Sequence, residues 1–198
     1  MPCRVALALT TALFLPVSVS APRPKADDKP VPYVPETPGD AWVVVSPKNV
    51  ARSWVVAEAE RKDGALRVTT AEVGADGKPA RTVTYEVTKA AICRVAEDGK
   101  ALPAPDCLLQ LPPTPGAKWE QPMFAPDGTR QAETAVRTVV GEEEVETPAG
   151  KFKAVRVDTE YPAGRPWSKA WYAPGRGVVL TDFGGSAFKL KSFTPAGK

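Results

Sequence analysis

The sequence predicts an all-β fold: a mainly antiparallel sheet that meanders and curls into an open or closed barrel, with little helix. Three observations predict it. Apolar and polar residues alternate with a period of two along several segments. Asp-Gly pairs stand between these segments, and such pairs tolerate the positive φ of hairpin turns. Helical periodicity is weak, because Pro or Gly interrupts every window of about a dozen residues.

Residues 82–88 show the alternation most clearly. Val83, Tyr85 and Val87 fall on one face, while threonines and a glutamate fall on the other. Ser53–Arg61 leaves two alternatives open, because it has the best helix propensity and equally fits a strand. We expect about ten short strands after a pair or two merge, as in a curled meander. The strand segments are 41–46, 53–61, 65–73, 80–89, 91–96, 107–111, 132–140, 143–147, 152–161, 167–173, 177–183 and 187–193.

Turn signals separate these segments. Proline fixes φ and Gly permits positive φ, so each signal has a physical reason to reverse the chain. Residues 101–105, with two prolines, are expected to form an extended, irregular loop. The turn signals are Asp63-Gly64, Asp76-Gly77, Asp98-Gly99, Asp127-Gly128, Pro148-Ala149-Gly150 and Pro174-Gly175.

Residues 1–20 have the order of a cleavable secretory signal peptide. Arg4 supplies a positive charge, Val5–Leu15 is apolar, and small residues precede a cut after Ser20. The apolar run is about half the ~20 residues that a membrane-spanning helix needs, so we expect no transmembrane anchor. The exported protein is therefore expected in the periplasm or outside the cell.

The rest of the chain divides at about residue 40. Six prolines between residues 21 and 39 favour a disordered, Pro-rich linker over residues 21–40. Residues 41–198 are enough for a single β domain with its own core, and too few for two comfortable domains.

The chain contains no histidine. This excludes Ser-His-Asp and Cys-His nucleophile pairs and His-ligated metal. Because no cofactor motif stands out either, we expect no enzyme activity, no metal and no cofactor. Two cysteines remain after the signal peptide, Cys93 and Cys107. Export favours a disulfide between them over two buried thiols, and closing a loop of about 15 residues is worth about 3 kcal/mol.

The charge pattern bounds the partners. Removing residues 1–20 removes Arg4, so the formal net charge falls from +3 to +2. Charges of both signs are interspersed along the chain, and no basic stripe indicates nucleic-acid binding. The expected partners are an apolar small molecule or a protein of the cell envelope.

Two of the five tryptophans are candidate ligand-binding residues. Trp167 and Trp171 are four residues apart on a predicted strand, so they share a face with Lys169 between them. Such a pair can line an apolar groove. The alternative is that both side chains fill the core or the mouth of a barrel.

Residues 146–157 (ETPAGKFKAVRV) are predicted to form a characteristic strand pair, and residues 171–179 (WYAPGRGVV) the strand that follows it. In order and spacing, these two segments resemble uncharacterised exported bacterial β domains. That grouping includes TapB-like proteins and looks distantly related to the LolA/LolB lipoprotein carriers. The resemblance covers residues 140–193 and implies a curled antiparallel sheet. It assigns no site residues, because a tight hairpin and core packing explain both motifs.

Two functions from different classes follow from these observations. The first is an exported, non-catalytic binding module whose concave sheet holds an apolar or acyl ligand. The alternative is a structural or assembly protein of the cell envelope that acts through protein–protein contacts. An enzyme that uses carboxylates alone is the least favoured reading.

Overall fold

The computed structural model describes residues 32–125, 128–162, 165 and 167–197. The predicted signal peptide and most of the predicted linker lie outside the described residues. Within them the chain forms twelve β-strands and no helix. The strands are β1 (Ala41–Val45), β2 (Ala51–Lys62), β3 (Ala65–Val73), β4 (Pro79–Val87), β5 (Ala91–Glu97), β6 (Lys100–Gln110), β7 (Lys118–Phe124), β8 (Arg130–Thr147), β9 (Gly150–Glu160), β10 (Ser168–Ala173), β11 (Gly177–Phe183) and β12 (Ser186–Thr194).

All twelve strands belong to one antiparallel sheet in the order β6-β5-β4-β3-β2-β1-β12-β11-β10-β9-β8-β7. Consecutive strands pair with each other except β6 and β7, which form the two edges of the sheet, and the first strand, β1, pairs with the last, β12. The sheet curls until β6 and β7 approach each other, so the barrel is nearly closed and its gap lies in the middle of the sequence. The predicted fold class is confirmed. Ser53–Arg61, for which a helix was the alternative, lies in strand β2.

Local turn chemistry sets the hairpins. Asp63-Gly64 and Asp98-Gly99 adopt positive φ at both residues, as a two-residue hairpin turn of the primed type requires. Asp127 lies outside the described residues. In β8 the register shifts between Val139 and Gly141. Gly141 has φ +144°, a conformation that L side chains rarely adopt, so this bulge joins the two predicted strands 132–140 and 143–147 into one.

Two clusters of buried residues hold the sheet together. The first collects side chains from seven strands, among them Val68 of β3, Val139 of β8 and Tyr172 of β10, and therefore lies inside the barrel. The second gathers Trp171, Leu190 and residues of the β8–β9 hairpin. The tip of that hairpin reaches β12, because the Ala149 N–H donates to the carbonyl of Leu190 at 3.2 Å.

Residues 32–40, which the sequence assigned to the linker, pack on the barrel. Val34 is 8% exposed and belongs to the interior cluster. Asp40 is also buried, and its carboxylate accepts a 2.8 Å bond from the N–H of Ala196. Proline removes backbone donors, but Val34 offers apolar surface that fills the interior, so burial orders this segment. We call residues 32–36 the plug.

Candidate functional site

The candidate site is a cavity of about 360 Å³ inside the barrel. Its wall includes Tyr85 of β4 and Thr181 of β11, which come from separate parts of the sheet. Gly177 and Phe183, the two ends of β11, both line it, so it extends over roughly 20 Å at about 3.3 Å per residue. Phe183 is 49% exposed, which places an opening to solvent at that end of β11.

Aromatic pairs form much of the wall. Trp42 of β1 and Trp54 of β2 stand opposite each other in register, and their rings stack with centroids 6.4 Å apart and planes 10° apart. This is the geometry of cross-strand neighbours on one face of a sheet. Phe183 and Phe188 meet edge to face at 6.3 Å. The cavity can therefore offer apolar, flat surfaces to a ligand.

A run of charged side chains crosses the interior face of the sheet from β2 to β8; we call it the charged belt. Its ion pairs join Arg52 to Glu72 at 3.7 Å, Arg81 to Glu97 at 2.6 Å and Arg94 to Asp106 at 3.0 Å. Because β6 and β8 lie on either side of the gap, the last pair, between Asp106 and Arg137 at 2.8 Å, spans it. The belt consists of Arg52, Glu72, Arg81, Glu97, Arg94, Asp106 and Arg137.

Arginine is the charged residue of the cavity wall. Arg52, Arg81 and Arg94 of the charged belt line it, together with Arg176 from the β10–β11 turn. No carboxylate lines the cavity among the residues that the structure describes. The wall is thus apolar with an excess of positive charge.

The phenols of Tyr172, which is buried, and Tyr85, which is partly buried, complete the wall. Burial raises the pKa of Tyr172 well above the ordinary phenol value, and the nearby Arg137 opposes this only in part. Burial also raises the pKa of Tyr85, against the opposing effects of Arg94 and Arg81. Both side chains are therefore neutral at physiological pH and present hydroxyls as hydrogen-bonding groups inside the barrel.

Side chains close the barrel where the backbone ladder stops. The Gln121 amide of β7 donates to the carbonyl of Pro105 at 3.0 Å and accepts from the N–H of Cys107 at 2.9 Å, both on β6. The Trp119 indole donates to the Cys107 carbonyl at 2.9 Å, and Arg137 donates to the same oxygen. We call Trp119, Gln121 and Arg137 the seam clasp.

A second cavity, of about 560 Å³, lies against the seam clasp. Gln121 and Arg137 line it, together with apolar side chains such as Met123 and Phe124. Arg94 of the charged belt lines both cavities. The charged belt therefore stands between an apolar chamber and the seam of the barrel.

The structure places the two predicted ligand-binding tryptophans apart from the first cavity. Trp171 is 8% exposed in the second cluster. Its indole donates to the Glu143 carboxylate, and the Arg156 guanidinium lies 5.7 Å from its ring centroid. Trp167 is 42% exposed, with the Lys169 ammonium 4.6 Å from its ring. Neither tryptophan lines either cavity, and their part in binding stays a prediction.

Cys93 and Cys107 stand opposite each other in the β5–β6 register, with their sulfur atoms 2.08 Å apart. Both backbone polar groups of Cys107 are used by the seam clasp. The disulfide therefore ties β5 to β6 at the residue where β7 and β8 are held.

Sequence reasoning missed most of the cavity wall. Trp54 lies in Ser53–Arg61, for which the sequence leaves a strand open, but its pairing with Trp42 depends on the β1–β2 register, which the sequence does not reveal. The sequence did contain one indication of this pairing, because a short turn separates the two tryptophans. In the structure Asn49, in that turn, has φ +59°. The four cavity arginines lie on four different strands or turns and share no spacing in the sequence.

Comparison with known proteins shows the fold. No protein-family model matches the chain, and no curated protein matches it. A candidate lipoprotein from Parabacteroides distasonis has a similar crystal structure, with a TM-score of 0.52 and 16% identity over 82% of this chain and 98% of that chain. A candidate exported protein with a YmcC-like fold from Bacteroides fragilis gives a TM-score of 0.50 and 18% identity over 81% of this chain and 98% of that chain.

The described residues contain no helix that could span a membrane. The chain thus shares its architecture with two bacterial β proteins that are described as exported or as a lipoprotein.

Proposed function

We propose that this chain is an exported, non-catalytic protein that holds an apolar or acyl ligand inside its barrel. The observation that carries the proposal is the cavity of about 360 Å³. It lies within the ~300–1,000 Å³ range of small-molecule sites, and like them it combines an apolar wall with a few polar groups. The secretory pattern of residues 1–20 and the descriptions of the two similar structures support export to the cell envelope.

The interior provides a ligand with an aromatic surface as well as empty space. Part of the barrel is filled by the first cluster and the plug, and the stacked pair Trp42 and Trp54 lines the space beside them. An apolar chain that enters past Phe183 leaves water and packs against aromatic side chains. Its binding free energy becomes more favourable by about 25 cal/mol for each Å² of apolar area that is buried. Binding is therefore driven by burial and needs no chemical step.

A pair of matched substitutions tests the cavity with Nile red, an uncharged apolar dye. Val44 lines the cavity, so Val44→Trp narrows it and should reduce the rise in dye fluorescence that the unchanged protein produces. Val50 is 59% exposed beside β2, so Val50→Trp adds the same volume outside and should bind dye like the unchanged protein. Circular dichroism verifies that both variants fold. Equal dye binding by the two variants would contradict the proposal.

An exposed tryptophan favours the second candidate, a structural or assembly protein of the envelope. Trp167 is 42% exposed, and tryptophan is enriched among residues that dominate protein interfaces. Crosslinking in cells, with Trp167→Ala as the comparison, tests it. A specific envelope partner that is lost in the variant supports this candidate, and recovery of the chain alone contradicts it.

A further inference from the structure

We infer that the ligand of the first cavity is amphipathic, with an acidic head that Arg176 binds and an apolar tail that the aromatic wall covers. This inference rests on the proposed function and narrows it to one class of ligand. The head is a carboxylate or a phosphate, because both present the oxygens that a guanidinium binds in a bidentate manner.

The four arginines of the wall differ in how they are neutralised. Arg81 is held by Glu97 at 2.6 Å, and Arg94 lies between Glu97 and Asp106, 3.0 Å from the latter. These two guanidinium groups already have carboxylate partners. They therefore add little net attraction for a further anion.

Arg176 is different. In the part of the chain that the structure describes, its guanidinium makes no ion pair. It donates to the carbonyl of Gly175 at 3.1 Å and lies 4.4 Å from the centroid of the Phe193 ring. These contacts fix the group in place without neutralising its charge. A fixed, unpaired cation beside an apolar wall strongly attracts an anion, because the low local dielectric weakens screening.

Arg176 has apolar neighbours, with the Phe193 ring on one side and the cavity residue Val178 close by in the chain. Phe193 stands opposite Trp42 in the β1–β12 register, and Trp42 stacks on Trp54. A head group bound at Arg176 therefore lies beside this aromatic pair. The tail can then extend through the cavity along β11 towards Phe183.

Arg52 is the second arginine of the wall whose charge is only weakly neutralised. Its Nε lies 3.7 Å from Glu72, and half of its side chain is exposed. Solvent therefore screens this charge more than that of a buried group, so Arg52 steers anions towards the cavity and holds them less tightly than Arg176.

The test uses four ligands with the same dodecyl chain: dodecanoate, dodecyl phosphate, dodecanol and dodecyltrimethylammonium. Each displaces Nile red from the full exported chain at a concentration below its micelle threshold. A charge-assisted hydrogen bond adds at least a factor of about ten to affinity. We therefore expect one or both anions to displace the dye at about tenfold lower concentration than dodecanol, and the cation to be weakest.

Arg176→Gln should remove the advantage of the anions and leave displacement by dodecanol unchanged. Arg130→Gln is the matched control, because Arg130 is exposed on β8 and lies outside both cavities. It removes the same charge and should keep the preference for anions. The carboxylate and phosphate arms distinguish a fatty-acid type of head from a phospholipid type.

Two outcomes separate this inference from the proposed function. Dodecanol that displaces the dye as well as both anions, or an Arg176→Gln variant that keeps the preference, overturns the inference and leaves apolar binding intact. Failure of Nile red itself to bind overturns the proposed function, and the inference with it.

Discussion

Removing the amide of Gln121 tests how the barrel is closed. Gln121 is 6% exposed on β7 and bonds both Pro105 and Cys107 of β6, at 3.0 and 2.9 Å. These two bonds replace a backbone ladder between the strands. Gln121→Ala removes both at once and leaves the strands in place, so its cost measures the contribution of the seam clasp.

The cost of the substitution in unfolding free energy depends on the polar groups of β6 that lose their partner. The Cys107 N–H is in a half-buried residue, and a partly desolvated donor without a partner costs about 1–3 kcal/mol. Pro105 is exposed, so water replaces the amide at its carbonyl and the loss is about 0.5–1 kcal/mol. Together these losses lower the free energy of unfolding by about 1.5–4 kcal/mol. With a urea m-value of about 2 kcal/mol/M, the midpoint falls by about 1–2 M.

Urea unfolding followed by tryptophan fluorescence measures this cost, with the disulfide kept oxidised. Gln121→Met preserves most of the side-chain volume and loses both bonds, so it should be nearly as unstable as Gln121→Ala. Gln110→Ala is the control, because the Gln110 side chain makes no hydrogen bond within the described ranges of the chain. It should change stability by no more than about 0.5 kcal/mol. Stability restored by methionine, or equal costs at positions 121 and 110, would refute the seam clasp.

The remaining predictions concern the plug and the buried phenol of Tyr172. Val34→Ala removes two methyl groups from an 8% exposed side chain and should cost about 2 kcal/mol in urea unfolding, while Val50→Ala, on a 59% exposed side chain, should be near neutral. Equal costs would show that the plug does not support the core. Burial raises the folded-state pKa of Tyr172 above its unfolded value, so its contribution to stability is complete below pH ~10 and declines by about 1.4 kcal/mol per pH unit above it. Tyr172→Phe should therefore unfold with a shallower alkaline loss than the unchanged protein, and an identical slope in the two would contradict the assignment.

The fold class was readable from the sequence because its causes are local. Side chains alternate along every strand whatever the strand pairs with, so residues 82–88 displayed their buried face directly. Asp63-Gly64 and Asp98-Gly99 take positive φ for reasons of backbone sterics within two residues. A chain with many such hairpins and no helical periodicity has few alternatives to a meandering antiparallel sheet.

The strands at the gap were the ones the sequence did not reveal. β7 was not predicted, and β6 begins at Lys100, so residues 101–105 are strand and not an irregular loop. Pro103, Pro105 and Pro122 weaken the strand pattern because proline cannot donate to a ladder. At the gap no ladder is needed, and proline at a sheet edge also discourages pairing with other chains. The prolines that made these segments look unlike strands are therefore tolerated because β6 and β7 lie at the gap.

The candidate site depends on register, which the sequence does not state. A single bulge, such as the shift between Val43 and Val44, changes which residues of the neighbouring strand share a face. The pair Trp42 and Trp54 and the row of arginines meet only because several such registers agree across the sheet. Trp167 and Trp171 were predicted from the alternation of side chains within one strand. That rule carries no information about which strands lie on either side of it.

By itself, the sequence determined most of the strands away from the gap, the antiparallel class and the absence of histidine chemistry, because each follows from residue types or from contacts within a few residues. Only the tertiary structure decided where the barrel closes, that the plug belongs to the core, and that Arg176 lines the cavity with no carboxylate partner among the described residues. These features join residues far apart in the chain, and their energies come from burial and from charges brought together by folding.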